Sequence, residues 1–337
     1  MIISKKESNA INILRFICIL FLLLHHSVID HLVPESLSGT MKIVQQTITI
    51  PFLQILFILS GYLFFYQKNE ALGSYKIVDF IKKTYVIKLL KRVRSLLLPY
   101  IIWCFVSIVY QIVVKHQVYS MHNPLDFVSL FWDTGSGHPV GMALWYVRNL
   151  IVFAILSPIY FIVVKFFGHL TVLLLFILAS LKMPIDLPYF NVFLLLGSYL
   201  ALSGISLEVL ATKMNWLLCV ACYIFLKTIC ISLQFDLNSI FLPLLLVLGI
   251  VGSLIKFEPS EFIKKVAMAS TFIYFCHPYF TGIRNIYMSL IDSSVIGFDI
   301  AVWFVQAATN FAICYCIYLF LKKFAPKLLG ILQGNRG

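Results

Sequence analysis

Apolar runs of about twenty residues recur from one end of the chain to the other, separated by short polar joints, and this pattern leaves few folds open. In hydrocarbon the backbone has no water to bond, so a spanning segment must be a helix or part of a closed barrel. Runs of this length fit helices crossing a core about 30 Å thick. The residues are 61% hydrophobic and only 12% charged, which excludes an ordinary water-soluble domain. The expected fold is therefore an all-α integral membrane protein, with one membrane-embedded domain over 1–337. Hydrophobic windows predict about ten spans, at roughly 10–29, 47–66, 96–115, 143–165, 169–184, 189–204, 215–234, 239–256, 266–288 and 300–321. The fifth and sixth flank Lys182–Pro188; short or Pro-bounded spans of this kind often line a cavity. Residues 1–9 are too short to read as a cleavable leader, and the run after them is long enough to stay in the membrane.

The net charge of +12 follows the spans rather than forming a nucleic-acid patch. Lys5 and Lys6, the stretch from Lys68 to Arg94, Lys256, Lys264 and Lys265, and the C-terminal Lys322, Lys323, Lys327 and Arg336 fall in one set of loops. The alternate loops hold only Lys42, Lys115, Lys182 and Arg284. The positive-inside rule then predicts cytoplasmic N and C termini and an even number of crossings. No nucleic-acid partner is expected; the lipid bilayer is.

Against this background the first run, Asn12–Asp30, stands out because it carries Arg15 near its start and His25 and His26 near its end. A cation inside a bilayer costs at least a few kcal/mol, so it usually has a partner or a task. At about 100° per residue, eleven steps bring His26 back to within roughly 20° of Arg15, about 16 Å further along the axis. His25 falls roughly 80° away. Arg15 and His26 are thus expected on one polar stripe.

Other polar residues in apolar runs admit two readings each. Lys88, Lys91, Arg92 and Arg94 precede the third span, either as a topology and anionic-lipid signal or as a clamp for a phosphate-bearing ligand. Arg148, behind Trp145 and Tyr146, either snorkels to the interface or lines a polar cavity. His277, followed by Pro278, is either a core histidine satisfied by a neighbour or a site residue. The loop from His116 to Met142 holds His116, His122, Asp126, Asp133 and His138; solvated side chains or a sugar-facing lid account for them better than a metal. The eight cysteines lie mostly within apolar runs as small hydrophobes, the Cys219–Cys222 pair included, and no metal is expected.

Several stretches together resemble the acyltransferase-3 family of bacterial membrane O-acyltransferases: Arg15 with His26, Phe57–Phe65, Lys91–Trp103, Leu144–Tyr160 and Phe272–Phe280. Their order and spacing cover most of the chain. The resemblance implies about ten spans in the cytoplasmic (inner) membrane of a bacterium. It also implies transfer of an acyl group, most often acetyl, from cytoplasmic acyl-CoA to a sugar hydroxyl of a surface glycan or its lipid-linked precursor. Relatives often carry Arg, two residues, Arg in the basic motif; here that spacing gives Lys91 and Arg94, with Arg92 between. A large branch has a Glu pair after the Trp of the fourth span, where this chain has Leu150 and Ile151, so no catalytic carboxylate is expected there. Some members carry an extra span and an esterase-like domain; the expectation here is the stand-alone type, which this sequence resembles.

Acyl transfer to a hydroxyl needs a base, a stabiliser for the oxyanion and a route for the thioester. The expected base is His26, with Arg15 holding the donor arm. Lys91, Arg92 and Arg94 are expected to bind acyl-CoA. Trp145, Arg148 and His277 are expected on the substrate, to polarise the thioester or orient the acceptor. Acyl-CoA enters as donor substrate, with no resident cofactor. The alternative is a transporter or flippase of a glycan intermediate, since intramembrane Arg and His also mark transport pathways. No clear internal repeat supports it.

Overall fold

The computed structural model describes residues 4–27, 35–66, 76–119, 122–135, 137–171, 173–174, 186–232, 241–282 and 296–334. Among these, no strand occurs. The helices are α1 (Lys5–His26), α2 (Glu35–Phe65), α3 (Ile77–Val113), α4 (Pro124–Trp132), α5 (Trp145–Phe167) and α6 (Asp186–Leu202). They continue as α7 (Leu207–Lys213), α8 (Trp216–Ser232), α9 (Phe241–Leu254), α10 (Glu261–Cys276), α11 (Ile296–Phe324) and α12 (Pro326–Gln333). Five segments are long and apolar enough to cross a membrane: α1, Thr47–Phe65 of α2, α3, α5 and Ile300–Phe324 of α11. A sixth results if the residues of α6 from Asn191 and α7, bent by 90°, form one broken span. Gly204 supplies the positive φ, 71°, at that break. α8 and α9 hold shorter apolar stretches, and most of the expected fifth span lies outside the described residues.

Two boundaries differ from the sequence expectation. The third span was expected to begin near residue 96, yet α3 is helical from Ile77 and passes through π-helical turns at Phe80–Tyr85 and Val93–Leu97. Its charges do not stop it because Lys82, Lys83, Lys91 and Arg94 are exposed while Phe80, Thr84 and Leu96 are buried, so no charge of these four is packed inside. Within the stretch expected as the ninth span, the α-helix stops at Cys276. Pro278 follows α10, and His277–Phe280 form a 3₁₀ turn instead of a continued α-helix.

The residues group into two compact units, each drawn from three stretches. The first comprises Met1–Cys18, Ile50–Lys88 and Phe153–Ala267. Inside it, α2 and α6 meet backbone to backbone. A Cβ built on Gly61 would run into the Leu194 carbonyl, and one on Gly197 into the Ile58 carbonyl and, at 2.7 Å, the Tyr62 nitrogen. Small residues at such crossings allow the dispersion contacts that hold helices together where lipid offers no hydrophobic drive. Phe80 stacks on Phe161 at 4.3 Å between centroids, and Phe64, Phe65 and Phe153 extend the ring cluster. The buried Glu7 carboxylate accepts from the Tyr62 hydroxyl at 2.8 Å, from Ser206 Oγ at 3.1 Å and from the Leu207 N–H at 3.1 Å. It thereby ties α1 to α2 and to the start of α7, where a helix N-terminus favours negative charge.

The second unit comprises Ile19–Thr49, Leu89–Val152 and Met268–Gly337. Trp103 of α3 stacks between Phe275, at 5.7 Å and 6°, and Tyr279, at 5.6 Å and 23°. Its indole N–H donates to the Leu332 carbonyl at 3.0 Å, docking α12.

Candidate active site

Polar groups gather in the second unit around the end of α1. The last carbonyls of a helix lack the usual helical donor, and in a membrane each needs another. The Gln45 carboxamide of α2 reaches Leu24 O at 3.1 Å, His25 O at 2.9 Å and Ser27 O at 2.6 Å. The Trp303 indole N–H of α11 donates to Leu24 O at 2.9 Å. The helix end bearing His25 and His26 is thus pinned from two sides.

The two histidines then part company, as the helix-face argument requires. His25 turns toward α2, its Nδ1 lying 2.8 Å from Thr49 Oγ1. That hydroxyl gives its own proton to Gln45 O at 2.8 Å, so it accepts from His25. His26 faces His277 instead, with ring centroids 4.9 Å apart and planes at 44°.

His277 is fully buried. Its Nδ1 lies 2.7 Å from Tyr274 O, and because a carbonyl only accepts, the Nδ1 proton is fixed there. The neutral ring therefore presents the lone pair of Nε2, which is buried and has no hydrogen-bond partner among the described residues. An unpaired buried ring nitrogen costs about 1–3 kcal/mol. A histidine serving only to fill the core would be expected to satisfy it. The Tyr274 hydroxyl donates to Ala143 O, and the Asn310 carboxamide to His277 O at 3.1 Å, so the 3₁₀ turn carrying the imidazole is held by α10, α11 and the start of α5. Trp145 and Tyr146 are half-buried, with Tyr146 stacked obliquely on Tyr274 at 5.4 Å.

Arg148 is buried, and its guanidinium is directed at backbone: Nη1 donates to Trp132 O and Nη2 to Gly137 O at 2.8 Å. It also lies over the Trp132 ring, 5.7 Å from the centroid. This geometry holds the connection between α4 and α5 in place. Arg15 is half-buried on α1, eleven residues before His26 and assigned to the first unit. On α3, Lys91 and Arg94 are exposed and Arg92 is half-buried, all beside the second π-helical turn. Lys88, in the first unit, turns inward to the Phe64 carbonyl and ring. Among the described residues, no group of three His, Cys, Asp or Glu side chains is arranged to hold a metal.

Sequence reasoning missed Gln45, Thr49, Tyr274, Trp303 and Asn310. Asn310 carried a signal, a polar amide inside an apolar helix, where such groups are expensive. The others owe their roles to distant backbone carbonyls that no spacing reveals.

Inside an apolar helical protein, a half-buried imidazole thus faces a buried one, each carried at a helix end. The family model for the acyltransferase domain of the acyltransferase-3 group matches residues 8–319, nearly the whole chain. The chain belongs to that family, and it is a membrane acyltransferase that transfers groups other than amino-acyl groups. No curated protein and no solved structure matches it.

Proposed function

We propose that this protein moves an acyl group, in the simplest case acetyl, from cytoplasmic acyl-CoA to a sugar hydroxyl of a surface glycan or its lipid-linked precursor. The observation that carries the reading is the His26–His277 pair, one ring half-buried and the other presenting an unpaired nitrogen. His26, the more accessible, takes the proton of the incoming hydroxyl as that oxygen attacks the thioester carbonyl. CoA leaves as thiolate and recovers the proton from the imidazolium. With its Nδ1 proton committed to Tyr274, His277 offers an acceptor rather than a donor. It suits accepting from a neighbouring hydroxyl of the acceptor sugar and not polarising the thioester.

Arg15 and the Lys91, Arg92 and Arg94 group are assigned to the phosphates and pantetheine arm of the donor, as guanidinium and ammonium groups suit phosphate. Arg148 and Trp145 act on the acceptor side, Arg148 by fixing the loop it grips. The reading takes the protein to cross the inner membrane about ten times with both termini in the cytoplasm.

Purified protein incubated with radiolabelled acetyl-CoA and a glycan acceptor is expected to place label on the glycan. Label that stays on CoA while sugar crosses a vesicle wall would favour the transporter instead. Changing Lys91, Arg92 and Arg94 together to Gln is expected to weaken acyl-CoA binding in detergent at least about tenfold, each lost charged contact being worth roughly 1.5–3 kcal/mol when well formed. Unchanged affinity would return the cluster to a topology signal.

A further inference from the structure

A cleft of about 420 Å³ opens in the second unit between the end of α3 and α4, lined by Gln111, Gln117, Tyr119, Asp126, Ser129 and Thr134 over Leu130 and Val140. Its size falls in the range of small-molecule sites. Its chemistry is more specific. Two carboxamides, two hydroxyls, a carboxylate and a phenol ring line it with two buried aliphatic side chains, and no cation is among its described lining residues.

The hydrogen-bond inventory sets what it would accept. Ser129 Oγ donates to Asp126 O at 2.7 Å, so this hydroxyl has spent its proton and has only acceptor capacity left. Asp126 Oδ2 accepts the His122 and Asn123 N–H groups at 2.7 and 3.0 Å, which fixes its carboxylate. The side-chain amides of Gln111 and Gln117 bond to none of the described residues, and each presents both donors and an acceptor. A ligand rich in hydroxyls and free of charge matches this set: its O–H groups meet the acceptors, its oxygens meet the amide N–H groups, and its C–H face meets Tyr119 and Leu130. A phosphate or other anion does not, because Asp126 repels it and nothing compensates.

The wall is built by a strained residue. His116 adopts φ 52°, left-handed for a non-glycine residue, and this returns the chain so that Gln117 N–H reaches Gln111 O at 3.0 Å. Both amides thus come to one rim. The opposite rim is held by Arg148, whose grip on Trp132 O and Gly137 O spans Thr134. The far end of the cleft is tied toward the imidazoles: Val140 lies three residues before Ala143, whose carbonyl takes the Tyr274 hydroxyl, and Tyr274 O holds His277.

We infer that this cleft is a subsite for a neutral saccharide, the part of the acceptor that is bound rather than acylated. The inference rests on the acyltransferase reading above for its place in the reaction, but binding at the cleft stands or falls separately. Saturation-transfer NMR on the full-length protein in detergent, with neutral methyl glycosides as probes and a methyl glucuronide as the anionic comparison, tests it. Wild-type protein is expected to transfer saturation to at least one neutral glycoside and not to the glucuronide. Gln111→Ala combined with Gln117→Ala is expected to weaken that binding about tenfold at unchanged thermal stability, and Lys115→Ala, outside the cleft, to leave it intact. No signal with any neutral glycoside, equal binding of the glucuronide, or full binding by the double variant would each overturn the inference. Acetyl transfer measured on the same preparations separates the two ideas. A raised acceptor KM in the double variant with the acetyl-CoA KM unchanged supports the subsite. Transfer with an unaltered acceptor KM overturns the subsite alone, whereas sugar binding that needs the amides, without any transfer, sustains the cleft and removes the acyl-transfer reading.

Discussion

His26→Ala is expected to lower acyl transfer at least about a hundredfold, the usual contribution of a positioned general base, while membrane insertion and abundance stay unchanged. His25→Ala is expected to cost less than about tenfold. The two residues are neighbours in sequence and nearly identical in chemistry, so composition and depth cannot separate them. Their partners can. His25 is bonded to Thr49 at 2.8 Å, and losing it removes one neutral hydrogen bond, worth roughly 0.5–1.5 kcal/mol, from the α1–α2 contact. His26 faces the ring of His277 at 4.9 Å and has no substitute there. Steady-state transfer by both variants at matched protein levels checks this, and equal losses would remove the distinction between the two faces.

Gly197→Val is expected to deplete folded protein outright. The new Cβ would meet the Ile58 carbonyl and lie 2.7 Å from the Tyr62 nitrogen, both backbone atoms of a helix that cannot step aside by rotating a side chain. Overpacking commonly costs about 1–3 kcal/mol, and a clash with main chain belongs at or above the top of that range. The same displacement would pull Tyr62 from Glu7, to which it donates at 2.8 Å, leaving a buried carboxylate short of one donor. Gel filtration of detergent extracts should show loss of the monodisperse species. Gly204→Ala is the comparison: its Cβ would meet no atom within 4 Å, so only the positive φ opposes it.

How far the sequence led depended on the kind of interaction. Hydrophobic runs marked out helices, five of them long and apolar enough to cross a membrane among the described residues, because length and apolarity are properties of the segment itself. Helical periodicity places His25 and His26 on different faces, but their partners, Thr49 and His277, come from helices distant in sequence. The helical course of 77–95 was not legible, because charge in that stretch suggests a loop unless burial of Phe80 and Leu96 is known. His277 was legible as an imidazole in an apolar run, but its tautomer depends on the Tyr274 carbonyl, three residues back in the last turn of α10. Arg148 stood out by its depth in an apolar run, but the carbonyls its guanidinium grips, those of Trp132 and Gly137, lie sixteen and eleven residues upstream, where no spacing points to them. The cleft beside α4 arises from a left-handed His116 and a loop fold, neither of which leaves a mark in hydropathy.

Mass analysis of surface glycans from cells producing either the wild-type protein or His26→Ala, at equal membrane abundance, tests the imidazole mechanism in its natural setting. An acyl increment on the glycan in the first case and its absence in the second is the predicted result. The same increment in both would show that acyl transfer does not depend on His26.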